Sequence, residues 1–244
     1  MSRVKRMRVF AGPNGSGKTT IILGLRNQYS FGVYVNADDI EAAFRESRRL
    51  ELKPFELSVT TTAIQDFFRQ STFAPLKLNQ PDLWKLFYVE DGFLCMKEGQ
   101  DINSYIAADI AEFFRQTLLE NGLSFTYETV MSHAGKVSFM ELAQQKGYRV
   151  YLYYIATNDP DININRVQIR RAQKGHDVNP DIIKKRYYKS LEHLKQAVAN
   201  TDRAFLFDNS GKNSKLLAEI TGGNSVTLTI DSSEIPNWFI DYLL

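Results

Sequence analysis

The sequence predicts an α/β protein with a mainly parallel central sheet that is covered by helices on both faces. Three observations support this prediction. Short apolar segments alternate with segments of helical periodicity, a glycine-rich loop joins the first apolar segment to the first helical one, and 43% of the 244 residues are hydrophobic. Parallel neighbours need crossover connections, which are usually helices, so this alternation favours a three-layer α/β/α sandwich.

The apolar segments and the helical segments are placed as follows. Strands are predicted at 7–11, 34–36, 124–127, 149–155, 204–207 and 225–230. Helices are predicted at 18–27, 39–50, 54–70, 102–119, 134–145, 162–174, 180–200 and 236–243, with one more helix ahead of Ser225. Prolines and a glycine among aromatic residues break the pattern over about 71–100. We expect a single domain over 1–244 with a hairpin-like insertion there, between the second and third core strands.

Composition excludes several classes of function. Thirty basic and 28 acidic residues leave a formal charge of +2, so no overall field favours nucleic acid or an anionic membrane. No apolar run approaches the roughly 20 residues of a membrane span, and none resembles a signal peptide. One cysteine and three scattered histidines give neither an intramolecular disulfide nor metal-ligand spacing. We expect a cytoplasmic protein without structural zinc.

A loop with the pattern G-x-x-x-x-G-K-T follows the first strand and opens the first helix. Its residues are Gly12, Pro13, Asn14, Gly15, Ser16, Gly17, Lys18 and Thr19, followed by Thr20. The glycines let successive N–H groups turn toward one point at a helix N-terminus, where partial positive charge favours phosphate. Lys18 is expected to reach the β- and γ-phosphates of ATP or GTP, and the Thr19 hydroxyl to bind Mg²⁺. Kinases, GTPases and motor ATPases share this P-loop, so it does not name the reaction.

Further stretches are similar in order and spacing to the zeta toxin family of P-loop kinases. They are VNADDI at 35–40, FTYET at 125–129, RVQIRRAQKGH at 166–176 with RY at 186–187, and FDNS at 207–210. The resemblance covers most of the chain from about 8 to 210, without 71–100. It implies an enzyme that uses ATP to phosphorylate a hydroxyl of UDP-N-acetylglucosamine, and an antitoxin protein that covers the nucleotide site.

The resemblance also implies roles for two carboxylates. Asp38 matches the catalytic base, and a carboxylate beyond a strand that neighbours the phosphate loop can accept a proton from a substrate hydroxyl. The alternative for Asp38 and for Asp39 is helix capping. Glu128 matches the acidic residue near magnesium and substrate, since it ends an apolar strand at the edge of the sheet where ligands collect. A strand-end carboxylate paired with a lysine is the alternative.

The arginines of the resemblance are expected to clamp the transferred phosphoryl group. Arg166 and Arg170 lie four residues apart on one helical face, which favours them over Arg171. Arg186 is a further candidate for substrate binding. A solvated helix face is the alternative for each of them. His176 reads as a turn residue.

Asn209 follows a buried strand and is a candidate for holding adenine, and a plain turn at 208–210 is the alternative. The sequence departs from the toxin pattern beyond Glu128, where Val130 and Ser132 stand in place of a threonine and an arginine. This departure bears on the amino-sugar acceptor more than on kinase chemistry.

The prediction is an ATP-dependent kinase of a small-molecule hydroxyl, with a UDP-sugar as one acceptor. Competing hypotheses are a kinase of nucleosides, other sugars or polynucleotide ends, a regulatory or DNA-associated ATPase, and a nucleotide-binding module without turnover. A DNA-associated ATPase would carry an L-S-G-G-Q-type signature or a hydrophobic segment ending in Asp-Glu, and the sequence has neither.

Overall fold

The computed structural model describes residues 4–99, 101–172 and 179–244. The strands are β1 (Arg6–Ala11), β2 (Val33–Val35), β3 (Arg49–Glu51), β4 (Phe87–Glu90), β5 (Phe93–Met96), β6 (Phe125–Thr129), β7 (Arg149–Ala156), β8 (Arg203–Asp208), β9 (Lys215–Thr221) and β10 (Ser225–Leu228). The helices are α1 (Lys18–Leu25), α2 (Ala37–Ser47), α3 (Thr61–Gln70), α4 (Ala74–Leu78), α5 (Ser104–Glu120), α6 (Gly135–Gln145), α7 (Pro160–Ala172), α8 (Pro180–Glu192), α9 (Leu194–Ala199) and α10 (Asn237–Leu243). Short 3-10 helices lie at Lys53–Phe55, Leu83–Leu86 and Ser232–Glu234.

The chain divides into two compact units. The first comprises Met1–Phe31 and Thr126–Leu244, and the second comprises Gly32–Phe125. This division into compact units does not test whether residues 1–244 form one domain, so the single domain stays a prediction. Among the described residues, no helix is both long and apolar enough to cross a membrane.

The first unit is built on strands in the order β10-β9-β8-β7-β1-β6. β7 pairs in parallel with β1 on one side and with β8 on the other, whereas β8 with β9 and β9 with β10 are antiparallel. The predicted α/β fold with a mainly parallel central sheet is confirmed. The carboxyl ends of β1, β7 and β8 lie at one edge, which is where ligands of such sheets bind.

An aromatic row fixes the register of the three central strands. Phe10, Tyr153 and Phe205 are partners across β1, β7 and β8. Their rings stack, with centroids 4.4 Å apart for the first pair and 5.0 Å apart for the second. A slip of one residue would send each ring to the opposite face, so the stack ties the ends of these strands to one another.

The second unit contains helices α2 to α5 and a small sheet in the order β3-β5-β4. β4 and β5 form a hairpin whose two-residue turn, Asp91-Gly92, has φ of 48° and 80°. Two positive φ values give the turn type that matches the twist of a tight hairpin. The hairpin expected within 71–100 is therefore present. Its sheet has a third strand, β3, which pairs with β5 and lies well before residue 71 in the sequence.

Several predicted helices differ from the structure. The helix expected at 39–50 ends at Ser47, since residues 49–51 form β3, and the helix expected at 180–200 is divided at His193 into α8 and α9. The helix expected at 54–70 begins only at Thr61, where the Thr60 hydroxyl caps it by accepting from the N–H of Ala63 at 3.1 Å. The helix expected ahead of Ser225 is strand β9. Its Leu, Ala and Glu residues favour a helix, but pairing with β8 and β10 on its two sides overrides that local preference.

We predict that Gly32→Ala destabilises the protein more than Gly92→Ala. Gly32 has φ of 63°, and an added Cβ would lie 2.1 Å from the Ser124 carbonyl oxygen. Gly92 has φ of 80°, and an added Cβ there would have no atom of the described residues within 4 Å. Gly92→Ala carries only the backbone penalty, about 1 kcal/mol, and Gly32→Ala adds a steric clash for a total of about 2–4 kcal/mol. Urea unfolding measures the free energy of unfolding of both variants. Equal losses of stability would contradict the close contact of Gly32 with the Ser124 carbonyl.

Candidate functional site

The predicted phosphate loop lies between β1 and α1 in the first unit. Gly17 has φ of 94° and ψ of 23°, and the helix begins directly after it at Lys18. Among the residues that the structure describes, no side chain caps this helix N-terminus. The free first-turn N–H groups of a helix are the usual donors to a phosphate, so the expected relation of strand, loop and helix is present.

Two loop glycines are required by close backbone contact. A Cβ on Gly12 would lie 2.0 Å from the Ile155 carbonyl oxygen of β7, and a Cβ on Gly15 would lie 2.5 Å from the Asn163 carbonyl oxygen of α7. Their φ values are 142° and 74°, which other residues rarely adopt. The loop therefore rests directly on the backbone of β7 and α7.

Lys18 lies back over its own loop. Its Nζ donates to the carbonyl oxygens of Gly12 at 2.8 Å and of Pro13 at 2.9 Å. The Ser16 N–H also donates to the Pro13 carbonyl, at 3.3 Å. These contacts place the ammonium charge beside the loop, where it adds to the positive potential of the helix N-terminus.

The structure brings together the two residues that were predicted to bind a metal ion. The Thr19 hydroxyl donates to Glu128 Oε2 at 3.2 Å. Glu128 is the fourth residue of β6, and the backbone N–H of Gly12 donates to the carbonyl of Thr129 at 3.3 Å. A hydroxyl and a carboxylate are hard oxygen ligands of the kind that Mg²⁺ takes together with phosphate oxygens and water, so this pair fits that ion.

Asn209 contacts the loop from the end of β8. Its side-chain Nδ2 donates to the Ser16 carbonyl at 2.7 Å, and a Cβ on Gly17 would lie 2.2 Å from the same Nδ2. The backbone N–H of Asn209 donates to the Ala156 carbonyl at 2.8 Å. The residue predicted to hold adenine thus holds the loop in this structure, and its adenine role stays a prediction.

Arg166 reaches the segment that follows β8. Its two terminal nitrogens donate to the carbonyls of Asn209 at 2.7 Å and of Gly211 at 3.2 Å. The Arg166 guanidinium, predicted to clamp a phosphoryl group, therefore binds the backbone of Asn209, whose side chain in turn binds the loop. Arg170 is exposed on the same helix, and Arg186 is half-buried on α8. The clamp role of the arginines stays a prediction, and Gly175 and His176 lie outside the described residues.

A buried polar chain joins α7 and α8 to the loop. Asn163 is fully buried, and its Nδ2 donates to the Asn14 carbonyl at 2.6 Å. The Thr157 hydroxyl makes a short contact with Asn163 Oδ1, and the Tyr187 hydroxyl donates to the Thr157 carbonyl at 2.6 Å. Burial raises the pKa of Tyr187, so its hydroxyl keeps the proton that it donates.

The turn after β8 has its own network. The Asp208 carboxylate accepts from the Ser210 hydroxyl at 2.8 Å and from the indole N–H of Trp238 at 3.2 Å. The Ser210 hydroxyl oxygen also accepts from the N–H of Asn158 at 2.8 Å. These bonds fix the FDNS stretch against the end of β7.

Asp38 belongs to the second unit and lies exposed in the first turn of α2. The cap of that helix is Asn36, whose side chain accepts from the Asp38 N–H at 2.8 Å. Asn36 therefore fills the capping position that was the alternative role for Asp38. The function of Asp38 as base stays a prediction.

A family comparison decides the relationship of the chain. The model of the zeta toxin family matches residues 95–219, about half of the 244 residues. This chain belongs to the zeta toxin family. The match includes the strand with Glu128, the helix with Asn163 and Arg166, and the turn with Asn209.

Solved structures share the fold of this zeta toxin family member. The PezAT chromosomal toxin–antitoxin system of Streptococcus pneumoniae gives a TM-score of 0.52 at 16% identity, over 99% of this chain and 78% of that one. The complex AvrRxo1-ORF1:-ORF2 with ATP gives 0.53 at 13% identity, over 93% of this chain. The match spans only 61% of that chain.

One relative in sequence is an uncharacterized protein of Haemophilus influenzae, with 32% identity over 69 residues. The match covers 28% of this chain and 49% of the relative, so the similar segment is about half of that protein.

Sequence reasoning gave no role to Asn163, Thr157 or Tyr187, although Tyr187 belongs to the RY stretch of the family resemblance. Asn163 gives no motif signal because a lone asparagine in the first turn of a helix is typical of a solvated or capping position. Its spacing of three residues from Arg166 is the one feature that could have pointed to it, since residues i and i+3 share a helix face.

We predict that Tyr187→Phe destabilises the protein and that Tyr188→Phe does not. The buried Tyr187 hydroxyl satisfies the Thr157 carbonyl, and its loss costs about 1–2 kcal/mol. Tyr188 is 41% exposed, so its hydroxyl can bond to water and its removal should change the free energy of unfolding by less than about 0.5 kcal/mol. Thermal or urea unfolding of the pair tests this, and equal effects would contradict the buried bond.

Proposed function

We propose that this chain is an ATP-dependent phosphotransferase that transfers the γ-phosphoryl group to a hydroxyl of a small-molecule acceptor. The observation that carries the proposal is the contact of Thr19 with Glu128 beside the loop. A hydroxyl and a carboxylate paired at the start of the P-loop helix form a set of oxygen ligands for a nucleotide-bound cation. Membership in the zeta toxin family supports a kinase-type reaction for this set.

The residues of the loop would divide the work of binding. Backbone N–H groups at the start of α1 would donate to the phosphate oxygens, and Lys18 would turn from the carbonyls of Gly12 and Pro13 toward the β- and γ-phosphates. Thr19 and Glu128 would hold Mg²⁺, which neutralises charge on the phosphate oxygens when it is bound. The fold shared with a structure determined with ATP supports ATP as the donor.

Asp38 is the proposed base. It is exposed, the cap of its helix is already provided by Asn36, and an exposed carboxylate can accept a proton from an acceptor hydroxyl. Arg166, Arg170 and Arg186 remain the proposed groups for phosphoryl charge, with Arg166 acting through its support of Asn209 as well.

The proposed acceptor is a UDP-amino sugar, as the family resemblance implies. Val130 and Ser132 depart from that resemblance just beyond Glu128, so other sugars and nucleosides belong in the same test.

An antitoxin protein is a further proposed partner, because a fold neighbour is itself a toxin–antitoxin system. We place the protein in the cytoplasm, where a lone, buried free cysteine such as Cys95 fits the reducing conditions.

The test is transfer of labelled γ-phosphate from ATP with Mg²⁺ to a panel of UDP-sugars, nucleosides and nucleic-acid ends. We expect label on a small-molecule hydroxyl, and we expect Lys18→Ala to abolish it because the loop loses its charged phosphate ligand. Label on UDP-N-acetylglucosamine would identify the acceptor of the resemblance. Release of free phosphate with no labelled acceptor, at the same rate with and without the panel, would point to the ATPase alternative.

We predict that Asp38→Asn keeps the affinity for ATP and lowers the rate of transfer by about 10²–10⁴-fold, because a base is lost while the phosphate cradle is intact. Asp39→Asn, one residue further along the same helix, is the matched control and should transfer at nearly the normal rate. Isothermal titration with ATP and the transfer assay separate the two effects. Normal transfer by Asp38→Asn would remove Asp38 from the mechanism.

A further inference from the structure

We propose that Asn163 is a positioning residue that holds the phosphate loop in its anion-binding conformation, acting together with Asn209. The proposal rests on the proposed function for the identity of the bound anion. It concerns how the loop is kept in shape, and neither asparagine needs to touch the nucleotide for this task.

The argument begins with the carbonyl groups of the loop. When successive N–H groups point inward at an anion, the carbonyls between them must point outward into the protein. The outward carbonyls of Asn14 and Ser16 each meet a side-chain amide, that of Asn163 at 2.6 Å and that of Asn209 at 2.7 Å. A carbonyl turned into the interior without a donor is costly, so these two amides favour the outward orientation.

The orientation of the Asn163 amide is itself determined by its neighbours. The Thr157 hydroxyl contacts Oδ1, which leaves Nδ2 facing the carbonyl of Asn14. The Tyr187 hydroxyl bonds to the Thr157 carbonyl at 2.6 Å and fixes that residue in turn. Asn163, Thr157 and Tyr187 are buried, so solvent does not compete for the bonds among them, and the bond to the Asn14 carbonyl is partly buried.

Helix α7 contacts the loop through both backbone and side chain at this residue. A Cβ on Gly15 would lie 2.5 Å from the backbone carbonyl oxygen of Asn163. The side chain of Asn163 donates to the carbonyl of Asn14, the residue before Gly15. Three residues later, Arg166 donates to the carbonyl of Asn209 at 2.7 Å. One face of α7 therefore supports both amides that bind the loop carbonyls.

Asn163→Leu removes the donor and keeps a side chain of similar size and no charge. Asn165→Leu is the matched control, because Asn165 is two residues away on the same helix and is exposed. We would measure hydrogen–deuterium exchange of residues 12–19 without nucleotide, and the affinity for ATP with Mg²⁺. For Asn163→Leu we expect exchange at least about 10-fold faster in the loop and ATP binding weaker by about 10- to 100-fold.

The same measurements can overturn the proposal. Unchanged hydrogen–deuterium exchange in the loop of Asn163→Leu would overturn it. Equally faster exchange in β1, β7 and the loop would also overturn it, because that result would indicate general destabilisation. If Asn163→Leu does not fold, Asn163→Asp replaces it, with Asn165→Asp as control, since the carboxylate keeps the acceptor for Thr157 and removes the donor to Asn14. Failure of the wild-type protein to bind ATP would reject the proposed function, while exchange without nucleotide would still decide the role of Asn163.

Discussion

The direct contact between the glycines of the loop and the neighbouring backbone is the constraint on which the rest of the site depends. Gly12 lies against a carbonyl of β7, and Gly15 lies against a carbonyl of α7, at distances that leave no room for a Cβ. Such contacts require that β1 and β7 end in register with each other. They also require that α7 begins close enough to the end of β7 for its backbone to contact the loop. The aromatic stack across β1, β7 and β8 and the short segment between β7 and α7 meet these two requirements.

The sequence predicted the features that depend on local pattern. The P-loop, the helix after it and the buried strands β1, β7 and β8 all follow from apolar runs, glycine spacing and helical periodicity, and the structure confirms them. The helix predicted ahead of Ser225 was wrong. The residues of β9 favour a helix by themselves, and pairing with β8 and β10 makes them a strand. Likewise β3 is three residues long, too short for alternation to be seen, and it exists because β5 pairs with it.

The candidate site was predicted in its parts more than in its arrangement. Thr19 and Glu128 lie far apart in the sequence, and the structure places them in contact. Their role at a metal site stays a prediction. The residues quoted for the family resemblance include Arg166 and Asn209, but motif spacing could not show that one side chain supports the other. Support of this kind depends on which carbonyls the folded backbone turns inward, and a linear sequence contains no direct signal for that.

The order of the strands has a consequence for biosynthesis. β1 precedes its partner β7 in the chain by the whole second unit, and Arg6 pairs with Arg149. At about 5–20 residues per second, a ribosome needs on the order of ten seconds to make the intervening chain. During this interval the loop lacks the backbone carbonyls of Ile155 and Asn163 against which it folds. The nascent chain therefore cannot assemble this loop until Asn163 has been made.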